Sequence, residues 1–256
     1  MPVKPKISRA ATAKSTTGIA GFDDITGGGL PSGRTSLLVG GPGSGKTVFA
    51  LQFLAHGALT CKENGIFISF EESADRILAN AASFGWQLDS LAPKKLAIID
   101  AQPDPDLISS GDFDLGATLA VLGAQVAKRN ARRIVIDALG VLLALLPEPT
   151  LRRREIYRLH QWLIAHKLTA IITLTPQDNG TGGTKEQSYH YIQFMMDCLV
   201  NLAHRTEDGA SQRYLRVQKY RGSSYDENEL PFVIGQSGIE VATINTLASI
   251  DAQLST

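Results

Sequence analysis

The segment TSLLVGGPGSGKT, residues 35–47, contains the most informative pattern in the chain. A short apolar run leads straight into a glycine-rich turn, and a helical pattern follows the turn without a gap. The turn satisfies the spacing G-x-x-x-x-G-K-[ST] of a phosphate-binding loop with Gly40, Gly45, Lys46 and Thr47. The strand before it and the helix after it are the context that this motif requires, so the segment predicts a nucleoside triphosphate site.

Each part of this loop has a physical role toward phosphate. The glycines let main-chain N–H groups face an anion, and the positive end of the following helix points to the same place. Lys46 supplies a charge for the terminal phosphates, and the Thr47 hydroxyl can ligate Mg²⁺. The predicted ATP-binding residues of the segment are Gly41, Gly43, Ser44, Gly45, Lys46, Thr47 and Val48.

Apolar runs typical of buried strands alternate with helical patterns over the next 130 residues or so. Continuous apolar strands indicate a sheet covered on both faces, and strand–helix alternation indicates parallel strands, so we predict an α/β fold with a mostly parallel central sheet flanked by helices. In the helix predicted at 152–167, the buried face is expected to carry Ile156, Leu159, Leu163 and Ile164.

The pattern changes after residue 197, where two strands around a turn at Glu207–Ser211 and two shorter runs predict an antiparallel C-terminal extension. We therefore expect one domain over residues 15–243. Residues 1–14 are expected to form a flexible N-terminal tail, and residues 244–256 a C-terminal segment or interdomain linker.

Composition narrows the class of protein. The 25 basic and 25 acidic residues give a net charge of zero, which argues against a protein built to bind nucleic acid phosphates. The two cysteines, Cys61 and Cys198, lack metal-ligand spacing and are expected to be reduced, buried thiols of a cytoplasmic protein. No apolar run has the roughly 18 residues of a membrane span, so no membrane association is expected.

Acidic residues end two of the predicted strands. Asp137 follows a buried strand, where a carboxylate is costly unless a cation or donor satisfies it, and we predict that it holds Mg²⁺ together with Thr47. Glu71 and Glu72 follow the strand at 65–70, at the sheet end where α/β proteins bind ligands.

The adjacent glutamates are predicted to divide their roles, because successive residues of an extended chain point oppositely. One would accept a hydrogen bond from the water that attacks the γ-phosphate, and mutual repulsion would raise the pKa of the pair, which suits a base. Glu71 is the better candidate. The alternative is that both are solvated acids near the start of the next helix.

These features, in this order, resemble the KaiC family of RecA-like P-loop ATPases over about residues 15–240. The resemblance is carried by STTGIAGFDDITGGGLPSGRTSLLVGGPGSGKT, FISFEES, SFGWQLDSL, DAQPDPDLISSGDFDL, ARRIVIDALG and RVQKYRGSSYDENELPFVI. The match looks closer to the first of the family's two tandem domains. It implies a Mg-dependent ATPase, a RecA-like fold and a ring homohexamer with ATP at the subunit interfaces.

The resemblance also implies further site residues. Lys219 and Arg221 would reach the nucleotide held by the adjacent subunit and stabilise the charge that develops there, as an arginine finger does. Their other reading is edge-strand charge that discourages aggregation. The nucleotide pocket would be completed by Ser83, Tyr220, Ser223 and Tyr225.

A protein partner and two departures from the family pattern follow from the same match. A KaiB-like protein would dock on residues 102–115. Where the family's second domain has Ser and Thr phosphorylation sites before an Asp, this chain has Gln193 and Phe194 before Asp197, so autokinase activity at this place is not expected. The glycine-rich segment 178–186 differs from the family's charged one.

Two other functions stay open at this point. A RecA/RadA-like DNA-dependent ATPase of recombination or repair would need basic mobile loops, and segment 178–186 has Lys185 as its only cation. A module that binds ATP only to assemble would not need Glu71, Glu72 and Asp137. The favoured reading is a hexameric ATPase that serves as a timing or signalling switch.

Overall fold

The computed structural model describes residues 12–91, 94–102, 115–146, 148–176, 187–207 and 209–243. The strands in this part of the chain are β1 (Lys14–Ser15), β2 (Leu30–Pro31), β3 (Thr35–Gly40), β4 (Asn64–Ser69), β5 (Leu96–Asp100), β6 (Ala131–Asp137), β7 (Thr169–Leu174), β8 (Cys198–Glu207), β9 (Ala210–Tyr220), β10 (Glu229–Gly235) and β11 (Gly238–Val241).

The helices are α1 (Phe22–Ile25), α2 (Lys46–His56), α3 (Ala74–Ala81), α4 (Leu88–Leu91), α5 (Leu115–Arg129), α6 (Leu139–Ala144), α7 (Pro149–Ala165) and α8 (Gln187–Met195). Helix α2 continues into a π-helical turn, Gly57–Cys61, and α3 into a 3₁₀ turn, Ala82–Phe84. In the described residues, no helix is both long enough and apolar enough to span a membrane.

The central sheet has nine strands in the order β11-β10-β9-β8-β3-β7-β6-β4-β5. Strands β8 through β5 in this order are parallel, whereas β8, β9, β10 and β11 pair antiparallel. The predicted α/β fold of RecA type is confirmed, including its antiparallel C-terminal extension. Strand β3, which leads into the phosphate-binding loop, lies in the middle of the sheet.

Hydrophobic side chains cover both faces of the sheet. Successive residues of the central strands alternate between two clusters: Leu38 and Val135 pack on the side of α2, while Leu37 and Ile136 pack on the side of α5 and α7. This alternation follows from the pleat of a strand, and it explains why the strands read as continuous apolar runs.

Two expectations about burial need correction. Ile164 in α7 is 44% exposed, although Leu163, Leu159 and Ile156 form the buried face as predicted. A helix turns about 100° per residue, so the position after Leu163 has already left the packed face. Both cysteines are free, but Cys61 is only partly buried, whereas Cys198 is buried.

Candidate functional site

The phosphate-binding loop depends on glycine at two kinds of position. Gly43 and Gly45 have φ of 70° and 97°, a left-handed region that other residues seldom adopt. A Cβ atom on Gly40 would lie 2.4 Å from Ser44 Oγ and 2.6 Å from the carbonyl oxygen of Leu202. The chain can therefore turn this tightly between β3 and α2 only with glycine at these places.

The loop presents donors at the start of α2. Gly45 is the N-cap residue and has no side chain, and the first N–H groups of a helix have no partner within it. Ser44 Oγ is buried and has no hydrogen-bond partner in the described part of the chain. These orphan donors sit at the positive end of the helix, which is the arrangement that a phosphate group satisfies.

The Lys46 amine is hydrogen-bonded to the main chain of its own loop. Its Nζ donates to the carbonyl oxygens of Gly40 and Gly41 at 2.7 and 3.0 Å. Burial lowers the pKa of Lys46, while the charges of Asp137 and Glu71 act to raise it. The amine is thus held beside the phosphate cradle and close to two acids.

Asp137 ends β6 and is 8% exposed. Thr47 Oγ1 donates to its Oδ2 at 2.9 Å, so the two predicted magnesium ligands do lie together. Thr173 Oγ1 donates to the other carboxylate oxygen. Strand β7 carries Thr173 between β3 and β6, and the sequence analysis missed this residue. Its signal was a hydroxyl near the end of an otherwise apolar strand.

The adjacent glutamates have different surroundings. Burial, then the charge of Asp137, raises the pKa of Glu71 above its ordinary 4.5, and the nearby Lys46 opposes the shift. The Glu72 side chain instead turns toward α3, where its Oε2 accepts a hydrogen bond from Asn80 Nδ2 at 3.2 Å, and its N–H donates to Ser69 Oγ at the end of β4. Glu71 is therefore the one of the two that faces the phosphate-binding loop.

These residues fit a Mg²⁺ ion bound with a nucleotide. Thr47 and Asp137 offer oxygen ligands, which Mg²⁺ prefers, and the ion keeps several waters and phosphate oxygens in such sites. In the part of the chain that the structure describes, no cluster of three His, Cys, Asp or Glu side chains could hold a metal by itself. The nucleotide would have to supply part of the coordination.

Lys219 and Arg221 lie at the opposite edge of the sheet. Leu199 pairs with Lys219, and the N–H of Arg221 donates to the carbonyl of Asp197. The N–H of Asp197 in turn donates to the carbonyl of Thr35, the first residue of β3. Both side chains converge on the end of α8: Lys219 Nζ and Arg221 Nη2 donate to the carbonyl of Phe194 at 3.1 and 2.6 Å. By the strand register Lys219 is level with Leu37 and Arg221 with the start of β3, so three to five residues, about 10–17 Å at ~3.3 Å per residue, separate them from Gly40 in the loop of their own chain.

The other predicted pocket residues are scattered. Ser83 follows α3 and donates to the carbonyl of Asn80. Ser223 and Tyr225 follow β9, near Arg221, and the Tyr225 hydroxyl donates to the carbonyl of Gln218. The Tyr220 side chain is buried and bonds the carbonyl of Gly29 at 2.9 Å, so only its main chain is left for a ligand.

Two predicted segments fall mostly or wholly outside the described residues. Residues 103–114 of the segment 102–115, where we expect a partner, are not described, and neither is segment 178–186. At one end of the former, Gln102 Nε2 donates to the main-chain carbonyl of Glu71 at 2.7 Å. The first residue of the predicted docking segment is thus in contact with the main chain of the candidate catalytic glutamate.

Comparison with known proteins agrees with this geometry. A family profile described as "ATPase: KaiC" matches residues 15–246. The chain is 39% identical over 237 residues to "Circadian clock protein KaiC2" of Synechocystis sp., covering 91% of this chain and 41% of the relative. It is 38% identical over 242 residues to "Circadian clock oscillator protein KaiC" of Prochlorococcus marinus and of Thermosynechococcus vestitus, covering 94% of this chain and 48% and 46% of those proteins. The chain spans about half the length of these curated relatives.

Proposed function

Since the chain belongs to the KaiC family of P-loop ATPases, we propose that it hydrolyses ATP to ADP and phosphate with Mg²⁺ and assembles as a ring hexamer that acts as a timing or signalling switch. The observation that carries this proposal is the meeting of Lys46, Thr47, Asp137 and Glu71 at one end of the sheet. These are a phosphate-binding cation, two metal-binding oxygens and a candidate base.

Each side chain has one task in this proposal. Main-chain N–H groups of residues 41–48 and the Lys46 amine bind the phosphates. Thr47 and Asp137 hold Mg²⁺, which when bound neutralises charge on the β- and γ-phosphates. Glu71 accepts a proton from the attacking water, and its raised pKa makes it a stronger base than a solvated glutamate.

The test is phosphate release by two matched variants. Glu71→Gln keeps the shape of the side chain and removes the base, so turnover should fall about 10²- to 10⁴-fold while binding of a fluorescent ATP analogue is retained. Glu72→Gln can still accept the hydrogen bond from Asn80 and should stay within about tenfold of the parent. Parent-like turnover by Glu71→Gln would show that this glutamate is not the base.

The nucleotide is proposed to lie between subunits. Lys219 and Arg221 lie about 10 and 17 Å along the strand direction from Gly40 of their own chain, so we propose that they serve a nucleotide that a neighbouring copy brings to them. In this arrangement they leave the carbonyls at the end of α8 and stabilise the charge of the leaving phosphate. The proposed interface is head-to-tail, and such an interface forms a ring when the rotation between neighbours closes, as it would in a hexamer.

The proposed role as a switch is supported by the similarity to circadian clock proteins, and the proposed KaiB-like partner by the resemblance to the KaiC family. Gln102 links the proposed docking segment, residues 102–115, to the candidate base. Its side-chain amide donates a hydrogen bond to the main-chain carbonyl of Glu71. Binding of a partner there would shift Glu71 and change turnover. A partner that bound without any effect on phosphate release would contradict this coupling.

A further inference from the structure

A cavity of about 400 Å³ lies at the amino edge of the sheet, at the opposite end of the strands from the phosphate-binding loop. It opens where β4, β6 and β7 begin. A cationic side chain at or just before the start of each strand lines it: Lys62, Arg132 and Lys167. None of these residues has a role in the proposed ATPase site. We refer to it as the amino-edge cavity.

The backbone is unusual on three sides of the amino-edge cavity. Lys62, Asn130 and Lys167 each lie in the turn that ends a helix and enters a strand, and their φ angles are 57°, 48° and 53°. Left-handed backbone is uncommon for residues other than glycine. In the described part of the chain, Gln87 is the one other non-glycine residue with this conformation. Each turn therefore keeps a polar side chain where glycine would be less strained.

Arg132 is directed into the cavity by an irregularity of the sheet. Asn64 pairs with Ala131 and the next residue, Gly65, pairs with Arg133, so Arg132 is the extra residue of a bulge between β4 and β6. Ala131 and Arg133 are buried, and Arg132 is exposed. A bulge changes the direction of a side chain relative to a regular strand, and bulges are frequent next to functional sites.

The charges of the cavity are unbalanced. Among the described residues that line it, the one carboxylate belongs to Glu63, which accepts a hydrogen bond from Arg133 Nε at 2.6 Å and is neutralised by this buried arginine. Within the described residues, no ion pair is formed by Lys62, Arg132 or Lys167. Thr169 Oγ1 accepts a bond from the N–H of Gly33, which leaves its own proton to donate. The cavity thus offers donors and positive charge to a ligand.

We propose that the amino-edge cavity binds a small phosphate-class dianion. Three cations that converge from separate turns match a compact ligand with several acceptor oxygens, and the guanidinium of Arg132 can bind two of these oxygens at once. The described residues that line the cavity include no aromatic or aliphatic side chain on which a base could stack, so a free phosphate fits better than a nucleotide. The proposal does not depend on ATP hydrolysis.

Equilibrium dialysis with radiolabelled inorganic phosphate tests this site on the full chain. A non-hydrolysable ATP analogue is present at saturation to occupy the phosphate-binding loop, and the measurement is repeated with Lys46→Ala. We expect saturable binding of about one phosphate per chain in both proteins. Absence of saturable binding in both would overturn the proposal, whatever the ATPase assay shows.

Matched variants identify the residues. Arg132→Gln and Lys167→Gln should each weaken phosphate binding at least about tenfold, because each removes one converging charge. Lys128→Gln removes an exposed cation in α5 that does not line the cavity, and it should leave binding unchanged. Equal losses in all three would show only a general effect of net charge. Displacement of phosphate by citrate at lower concentration than by sulfate would also contradict a phosphate-class site.

Discussion

Glu71 and Glu72 are adjacent residues of like charge, yet after the end of β4 their side chains have different surroundings. Glu71 lies near Lys46 and Asp137, where burial and a second acid disfavour its charged form. Glu72 is turned toward α3, where Asn80 binds it. The division of roles expected from alternation along an extended chain is what the contacts favour, although the catalytic role itself stays a prediction.

The pH dependence of turnover is a prediction at this scale. A base must be deprotonated to accept a proton, and the pKa of Glu71 is raised, chiefly by burial. Turnover should therefore decline as pH falls through a pKa above 4.5, the ordinary value for glutamate. The pH profile of phosphate release should keep this acidic limb in Glu72→Gln and lose it in the residual activity of Glu71→Gln. An identical limb in both variants would assign it to another group.

At the scale of helices and strands, a shift of one residue along the chain changes what a side chain contacts. In α7, Leu163 is fully buried and its neighbour Ile164 is 44% exposed, because one step along a helix rotates the side chain by about 100°. In β7, Thr173 is placed opposite Asp137 by the register of the parallel strands, which no local pattern in the sequence specifies. The position of a residue within its helix or strand thus decides whether its side chain joins the core, as Leu163 does, or reaches the site, as Thr173 does.

Core packing of α7 gives a prediction at this scale. Leu163→Ala should lower the free energy of unfolding by about 2–5 kcal/mol, because it removes a fully buried side chain and leaves a cavity. Ile164→Ala should change it by no more than about 0.5 kcal/mol, as expected for a solvent-facing position. Urea denaturation followed by circular dichroism measures both. Similar losses for the two variants would contradict the assigned face.

At the scale of the whole molecule, the two edges of the sheet differ in charge. The carboxyl edge carries acids, among them Glu71, Asp100 and Asp137, whereas the amino edge near β8 and β9 carries cations such as Arg34, Lys219 and Arg221. Opposite edges of two copies are therefore complementary, which favours head-to-tail association over a two-fold dimer. Lys219 and Arg221 lie on the amino edge, where a neighbour's nucleotide would meet them.

Mixing two inactive variants tests this arrangement. Lys46→Ala lacks a working phosphate-binding loop, and Arg221→Ala lacks the cation supplied to a neighbour. In 1:1 mixed rings about a quarter of the interfaces combine the intact half of each, so phosphate release should recover to about a quarter of the parent rate. Each variant alone is the control. No recovery in rings shown by light scattering to be mixed would place Arg221 in its own chain's site.

Much of this protein could be read from local sequence. The glycines and lysine of residues 40–47, the strand–helix alternation and the acids at strand ends are local patterns, because loop geometry and burial periodicity repeat over a few residues. These patterns were enough for the fold class, and they predict the phosphate-binding loop and Glu71 as the candidate base.

Only the tertiary structure decided which distant residues meet. It placed Thr173 on Asp137, buried Tyr220, exposed Ile164, directed Lys219 and Arg221 to the end of α8 and away from the loop, and gathered three helix-to-strand turns into the amino-edge cavity. The physical reason is that strand order and register are set by packing of the whole core, since pairing between strands far apart in sequence carries no local signature.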